Sequence, residues 1–193
     1  MTIFKKMTCT AEAIEDLLRK SLSRERLEHS RRVAELARDL CLRYGLDGVK
    51  GTLAGLAHDL AREMDLRKVR LLAVRDGGGI SALEAERPVL LHGRAASVLL
   101  RDALGVGDPE ILDAVASHVT GRPSMGLLAK IVFVADFLEP GRGFLDEKFR
   151  LSALELPLDS MMILVLEEIF KFLKTRAIAA PARDLYEELL RKC

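Results

Sequence analysis

Residues 49–61 read VKGTLAGLAHDLA, a run that is apolar or small on most sides at helical spacing. Such a segment predicts a buried helix, yet it carries His58 and Asp59 side by side. A carboxylate among leucines and alanines is costly to bury unless something cationic meets it. The rest of the chain therefore has to supply both the packing around this helix and the partner for Asp59.

Working outward, Arg24–Tyr44 places Leu27, Val33, Leu36, Ala37, Leu40, Cys41 and Tyr44 at three- and four-residue steps, with Gly45 as the stop. His29 lies on that apolar face, four residues before Val33. On the other side, Asp65–Val74 is a shorter amphipathic helix ended by Gly77-Gly78-Gly79. Pro88 precedes a helix over Gly93–Leu104, opened by His92. Asp108-Pro109 forms an N-cap and first turn for the helix that ends near His118. Ser124 is the expected cap of the next helix, which runs to Glu139 before Pro140 and Gly141 stop it. Asp136 is the lone acid in KIVFVADFL, four residues after Val132. A last helical pair covers Asp159–Ala177 and Pro181–Arg191. Alternating apolar and polar runs are scarce and aromatics reach only 5%, so the expected class is all-α.

Composition narrows the function. A chain of 193 residues suits one domain and buries about 70% of its unfolded surface without disulfides or structural zinc. The net charge of +1 argues against holding a nucleic acid polymer by phosphate neutralisation. Cys9, Cys41 and Cys193 form an odd set with no CxxC pair, which excludes a thiolate zinc site and points to a reducing cytoplasm. MTIFKKMTCT has no apolar stretch of signal-peptide length behind its lysines, and no window reaches a membrane span. The expectation is a cytoplasmic protein without membrane contact.

Taken alone, each histidine reads as a hydrogen-bonded core or surface residue, and Asp59 as the partner of an arginine. Order and setting change that reading. His29, His58-Asp59, His92, His118 and Asp136 each stand on, or at the end of, a different apolar helix, and no histidine is left over. A metal ion takes neutral imidazole nitrogen and carboxylate oxygen in one compact cluster.

This order resembles the HD-domain superfamily of metal-dependent phosphohydrolases. Within it, the chain is similar to the YqeK subfamily of symmetrical bis(5'-nucleosyl)-tetraphosphatases. The words that carry the resemblance are HSRRVAELARDLCLRYGLD from His29, AGLAHDLAR over Ala54–Arg62, LLHG over Leu90–Gly93, HVTGRPSM over His118–Met125 and KIVFVADFLEPGRGF over Lys130–Phe144. They imply a single HD-type helical bundle over 1–193, with a motif region at 24–144 and a helical tail at 150–193. The sequence departs from the subfamily at Val119, where threonine is usual, and at Arg62, where lysine is common.

Six ligands are too many for one four-coordinate ion and suit two ions sharing a carboxylate. The resemblance implies that His29, His58, Asp59 and Asp136 hold one and that His92 and His118 hold the other, with Asp59 bridging. It points to iron, while the donor types also admit manganese, cobalt or zinc. The implied reaction splits diadenosine tetraphosphate into two ADP by a hydroxide shared between the metals. Arg62 and Arg142 are the expected catalytic cations and phosphate contacts, joined by the Thr120 hydroxyl and the Gly121 N–H. A homodimer is a further implication. Three alternatives stay open: an HD-type phosphohydrolase of deoxynucleotides or alarmones, a metal-dependent nucleotide sensor, and a helical interaction module whose histidines are satisfied in the core.

Overall fold

A computed structural model describes residues 11–173 and 177–192. The segment MTIFKKMTCT with Cys9, residues 174–176 of the helix expected over 159–177, and Cys193 lie outside the described residues. Among those described, eleven α-helices follow one another with no strand: α1 (Ala11–Ser21), α2 (Arg24–Arg43), α3 (Gly48–Ala57), α4 (Leu66–Ala73), α5 (Ala82–Glu86), α6 (His92–Leu104), α7 (Pro109–Ser117), α8 (Leu127–Leu138), α9 (Glu147–Leu154), α10 (Leu158–Leu173) and α11 (Ala180–Leu190). Short 3-10 turns at 74–76 and 88–91 lead out of α4 and into α6.

The packing centres on α2, α3 and α8. Helix α2 starts at Ser23, whose hydroxyl accepts the Arg26 N–H, and buries Leu27, Val33, Ala37, Leu40 and Cys41 along one stripe. Asp47 caps α3 by accepting the Val49 N–H at 2.8 Å. The two helices approach so closely that a Cβ on Gly55 would lie 2.6 Å from Ala34 Cα. Glycine is what lets the backbones meet, and the meeting carries the end of α3 to His29. Helix α8 is apolar nearly all round and buries Ile131, Val132, Val134, Ala135 and Leu138 against α2, α3, α7 and α10. Its Lys130 ammonium is buried and paired with the Asp159 carboxylate at 2.5 Å. Helices α10 and α11 close the far side with Met161, Met162, Leu166, Leu185 and Leu189, so one apolar cluster runs from Ile14 to Leu189.

The structure departs from the periodicity in three places. Helix α3 stops at Ala57, and the HD pair lies in the tight turns that follow rather than inside a helix. The His58 ring donates Nδ1–H to the Gly55 carbonyl at 2.7 Å, and Leu60 and Ala61 stay buried beyond the helix end, so the apolar run outlasts the helix. Ser124 does not cap α8. It sits at φ 57°, its N–H donates to the Glu188 carboxylate, and Gly126 holds the cap position. Helices α1, α5 and α9 go beyond those that the apolar spacing marks. No helix among the described residues is long and apolar enough to cross a membrane.

Candidate metal centre

Three of the four histidines are positioned by the same device. His58, His92 and His118 each sit at a helix end and donate Nδ1–H to the carbonyl three residues earlier: Gly55 at 2.7 Å, Val89 at 2.6 Å and Val115 at 2.8 Å. A carbonyl only accepts, so each of these rings carries a proton on Nδ1 and turns its Nε2 inward. His29 is held differently, by the Glu139 carboxylate at 3.0 Å from its Nδ1. Glu139 is buried and also accepts from Arg32 Nε and the Gly141 N–H, each at 2.5 Å. Burial alone would raise its pKa. The donors from His29, Arg32 and Gly141 outweigh that and hold it at about 2.

The four Nε2 atoms converge on Asp59. His92 Nε2 lies 3.0 Å and His118 Nε2 3.9 Å from its Oδ1, and the two nitrogens are 3.1 Å apart. On the other oxygen, Oδ2, His58 Nε2 lies at 3.5 Å and His29 Nε2 at 3.7 Å, with 3.3 Å between those nitrogens. Asp136 Oδ1 joins this second group, 3.1 Å from His29 Nε2 and 3.6 Å from His58 Nε2. All six side chains expected at the site therefore meet, in two groups that share Asp59.

The donor chemistry fits metal ions. With the rings in the neutral form that a metal ligand must take, two lone-pair nitrogens face each other at 3.1 or 3.3 Å beside a carboxylate oxygen, a set of acceptors that a cation satisfies. Three overlapping sets of ligand atoms lie within 4.8 Å of one another: His29, His58 and Asp59; His58, His118 and Asp136; and Asp59, His92 and His118. The metal-free electrostatics tell the same story. Burial would lower the His58 pKa, but Asp59 and Asp136 overcome it and push it up to about 10. Burial, aided by His58 and His92, pushes His118 down to about 3. The buried Asp59 and the partly exposed Asp136 thus draw positive charge into the cluster, and nearby imidazoles compete for it.

The expected arginines divide. The Arg142 guanidinium donates to Asp136 Oδ1 and to the Asp136 carbonyl, and comes within 3.4 Å of His29 Nε2. The half-buried Arg62 makes no hydrogen bond or ion pair with the cluster among the described residues. The Gly121 N–H donates to the Ser117 carbonyl at 2.8 Å in the turn after α7, and a Cβ there would meet Leu185. The Thr120 hydroxyl donates to the Gly121 carbonyl at 3.2 Å. Sequence reading missed Glu139 and Arg26, the latter donating to Asp59 Oδ2 at 2.9 Å. Both were reachable by spacing, since Arg26 lies three residues before His29 on α2 and Glu139 three after Asp136.

A helical bundle that gathers four imidazoles around a shared buried carboxylate defines a class of metal-binding hydrolase folds, and residues 26–141 match the model of the HD domain. The chain belongs to the HD domain family, in the subfamily of the symmetrical bis(5'-nucleosyl)-tetraphosphatases. It is 34% identical over 177 residues to a protein of Halalkalibacterium halodurans named bis(5'-nucleosyl)-tetraphosphatase, symmetrical, covering 90% of this chain and 94% of that one. A Bacillus subtilis protein of the same name is 33% identical over 72% of this chain and 75% of its own. A crystal structure of a predicted HD superfamily hydrolase involved in NAD metabolism from Clostridium acetobutylicum superposes with a TM-score of 0.88 at 28% identity, over 96% of this chain and 100% of that one.

Proposed function

We propose that the chain hydrolyses dinucleoside polyphosphates and splits diadenosine tetraphosphate symmetrically into two ADP. The observation that carries this reading is the division of Asp59, one oxygen toward His92 and His118 and the other toward His29 and His58. The names of the two relatives over most of their length support the substrate. We assign His29, His58, Asp59 and Asp136 to one ion and His92, His118 and Asp59 to the other. The imidazole-rich donors favour iron, manganese, cobalt or zinc over magnesium. When bound, such a pair lowers the pKa of water and neutralises phosphate oxygens.

The protein's own work is orientation and charge. Ring protons locked on Nδ1 keep every Nε2 aimed inward, and Glu139 holds His29 in the same sense. Arg26, Arg32 and Arg142 line the cleft beside the cluster and supply donors to the non-bridging oxygens as negative charge builds there. Arg62 remains a candidate contact for the outer phosphates, its guanidinium having no partner among the described residues. Cleavage breaks the P–O bond between the second and third phosphates; water oxygen ends on one ADP and a water proton on the other. No side-chain nucleophile is required.

Incubating metal-replete protein with a panel of dinucleoside polyphosphates and resolving products by chromatography tests the reading. Two ADP per diadenosine tetraphosphate is the expected result. ATP plus AMP, or turnover only of a deoxynucleotide or guanosine tetraphosphate, contradicts it.

A further inference from the structure

The cluster opens toward solvent at Asp136. Its histidines and Asp59 are buried, whereas the Asp136 side chain is 25% exposed and lies beside Arg142. That opening is a cleft of about 180 Å³ walled by Arg26, His29, Arg32, Glu139 and Arg142, and it ends at Phe144. Phe144 is also a wall of a second, larger groove of about 420 Å³, lined by Phe137, Leu145, Ile169, Phe172 and Leu173. Charge gives way to apolar surface across this single ring.

The two large rings that dominate the groove are oddly open for a chain with 5% aromatics: Phe144 is 65% exposed and Phe172 75%. Phe144 is nevertheless held in place. Phe137 meets it edge to face with centroids 5.7 Å apart, and the Arg142 guanidinium carbon lies 5.9 Å from its centroid. A fixed aromatic face beside three arginines and a candidate metal pair matches the order of parts in a nucleotide: cleaved phosphate, outer phosphates, base. The groove has the volume of a small-molecule pocket but lacks the roughly 800 Å² that a stable protein partner buries per side.

We infer that this groove is a nucleobase subsite, in which Phe144 stacks the base of one nucleoside arm while Arg142 and Arg26 hold the phosphates leading to the cluster. The inference rests on the catalytic reading above and adds to it where one end of the substrate lies. The groove's walls are apolar, with an ion pair between Glu168 and Lys171 among its lining residues, so stacking is the main source of affinity and purines differ little from one another.

The test measures binding of ADP and of inorganic pyrophosphate to the full-length, metal-loaded protein by calorimetry. Phe144→Ala is expected to weaken ADP about tenfold and to leave pyrophosphate affinity and metal content unchanged. Phe144→Tyr restores ADP affinity, and Phe172→Ala weakens ADP in the same selective way. Equal ADP affinity in the wild type and Phe144→Ala, or equal losses for ADP and pyrophosphate, overturns the subsite. Should the wild type form no nucleoside diphosphate from the dinucleotide, the catalytic reading falls, while the ADP-to-pyrophosphate contrast still judges the groove.

Discussion

At the scale of single residues, the centre is built from groups whose outer atoms are already satisfied. Glu139 shows this most clearly, since its carboxylate orients His29 through Nδ1 and is itself held by Arg32 and Gly141. Glu139→Gln keeps an oxygen for the imidazole but removes the charge that the Arg32 pairing needs. A 10- to 100-fold loss of metal affinity or activity, at roughly the usual size for such orienting groups, is the expected outcome, read by metal titration and steady-state rates. Protonation gives a second prediction. In the metal-free protein His58 keeps its proton to about pH 10, and a metal ligand must be neutral. Metal binding therefore expels that proton, and apparent affinity rises with pH by about tenfold per unit through the neutral range. Calorimetry in buffers of different ionisation enthalpy measures the release; a flat affinity profile contradicts it.

At the scale of elements, the cluster depends on how closely α2 and α3 cross. A methyl on Gly55 has to push Ala34 away, so Gly55→Ala is expected to cost about 1–3 kcal/mol in thermal or denaturant unfolding and to lower metal content as His58 leaves His29. A variant as stable and as metal-loaded as the parent contradicts this account. The same crossing shows what a sequence can and cannot carry. The apolar spacing in 24–44 and 127–138 marks α2 and α8 because each buries a long stripe, and it places His29 and Asp136 on those helices. It does not reveal that α3 ends at Ala57, because Leu60 and Ala61 are as buried as Leu56 and Ala57, and the apolar run continues through the turns that follow the helix. Helices α5 and α9 are too short to show one.

At the scale of the whole molecule, chain order, apolar setting and the family resemblance suggested that six scattered side chains belong together, and their convergence on Asp59 follows from the packing of α2, α3, α6, α7 and α8. The opening beside Asp136 and the placing of Arg32 and Phe144 along it were beyond the sequence, because they arise where α2 meets the loop after α8. A protein built this way gathers Asp59 and Asp136 among imidazoles, where ions stabilise only the native state, so chelation is expected to lower its melting temperature. Elemental analysis of protein purified without added metal tests the central claim most directly. The account predicts about two transition-metal ions per chain, falling sharply in Asp59→Ala, whose carboxylate serves both groups. A native, fully folded chain that carries no transition metal and takes none up on titration would contradict it.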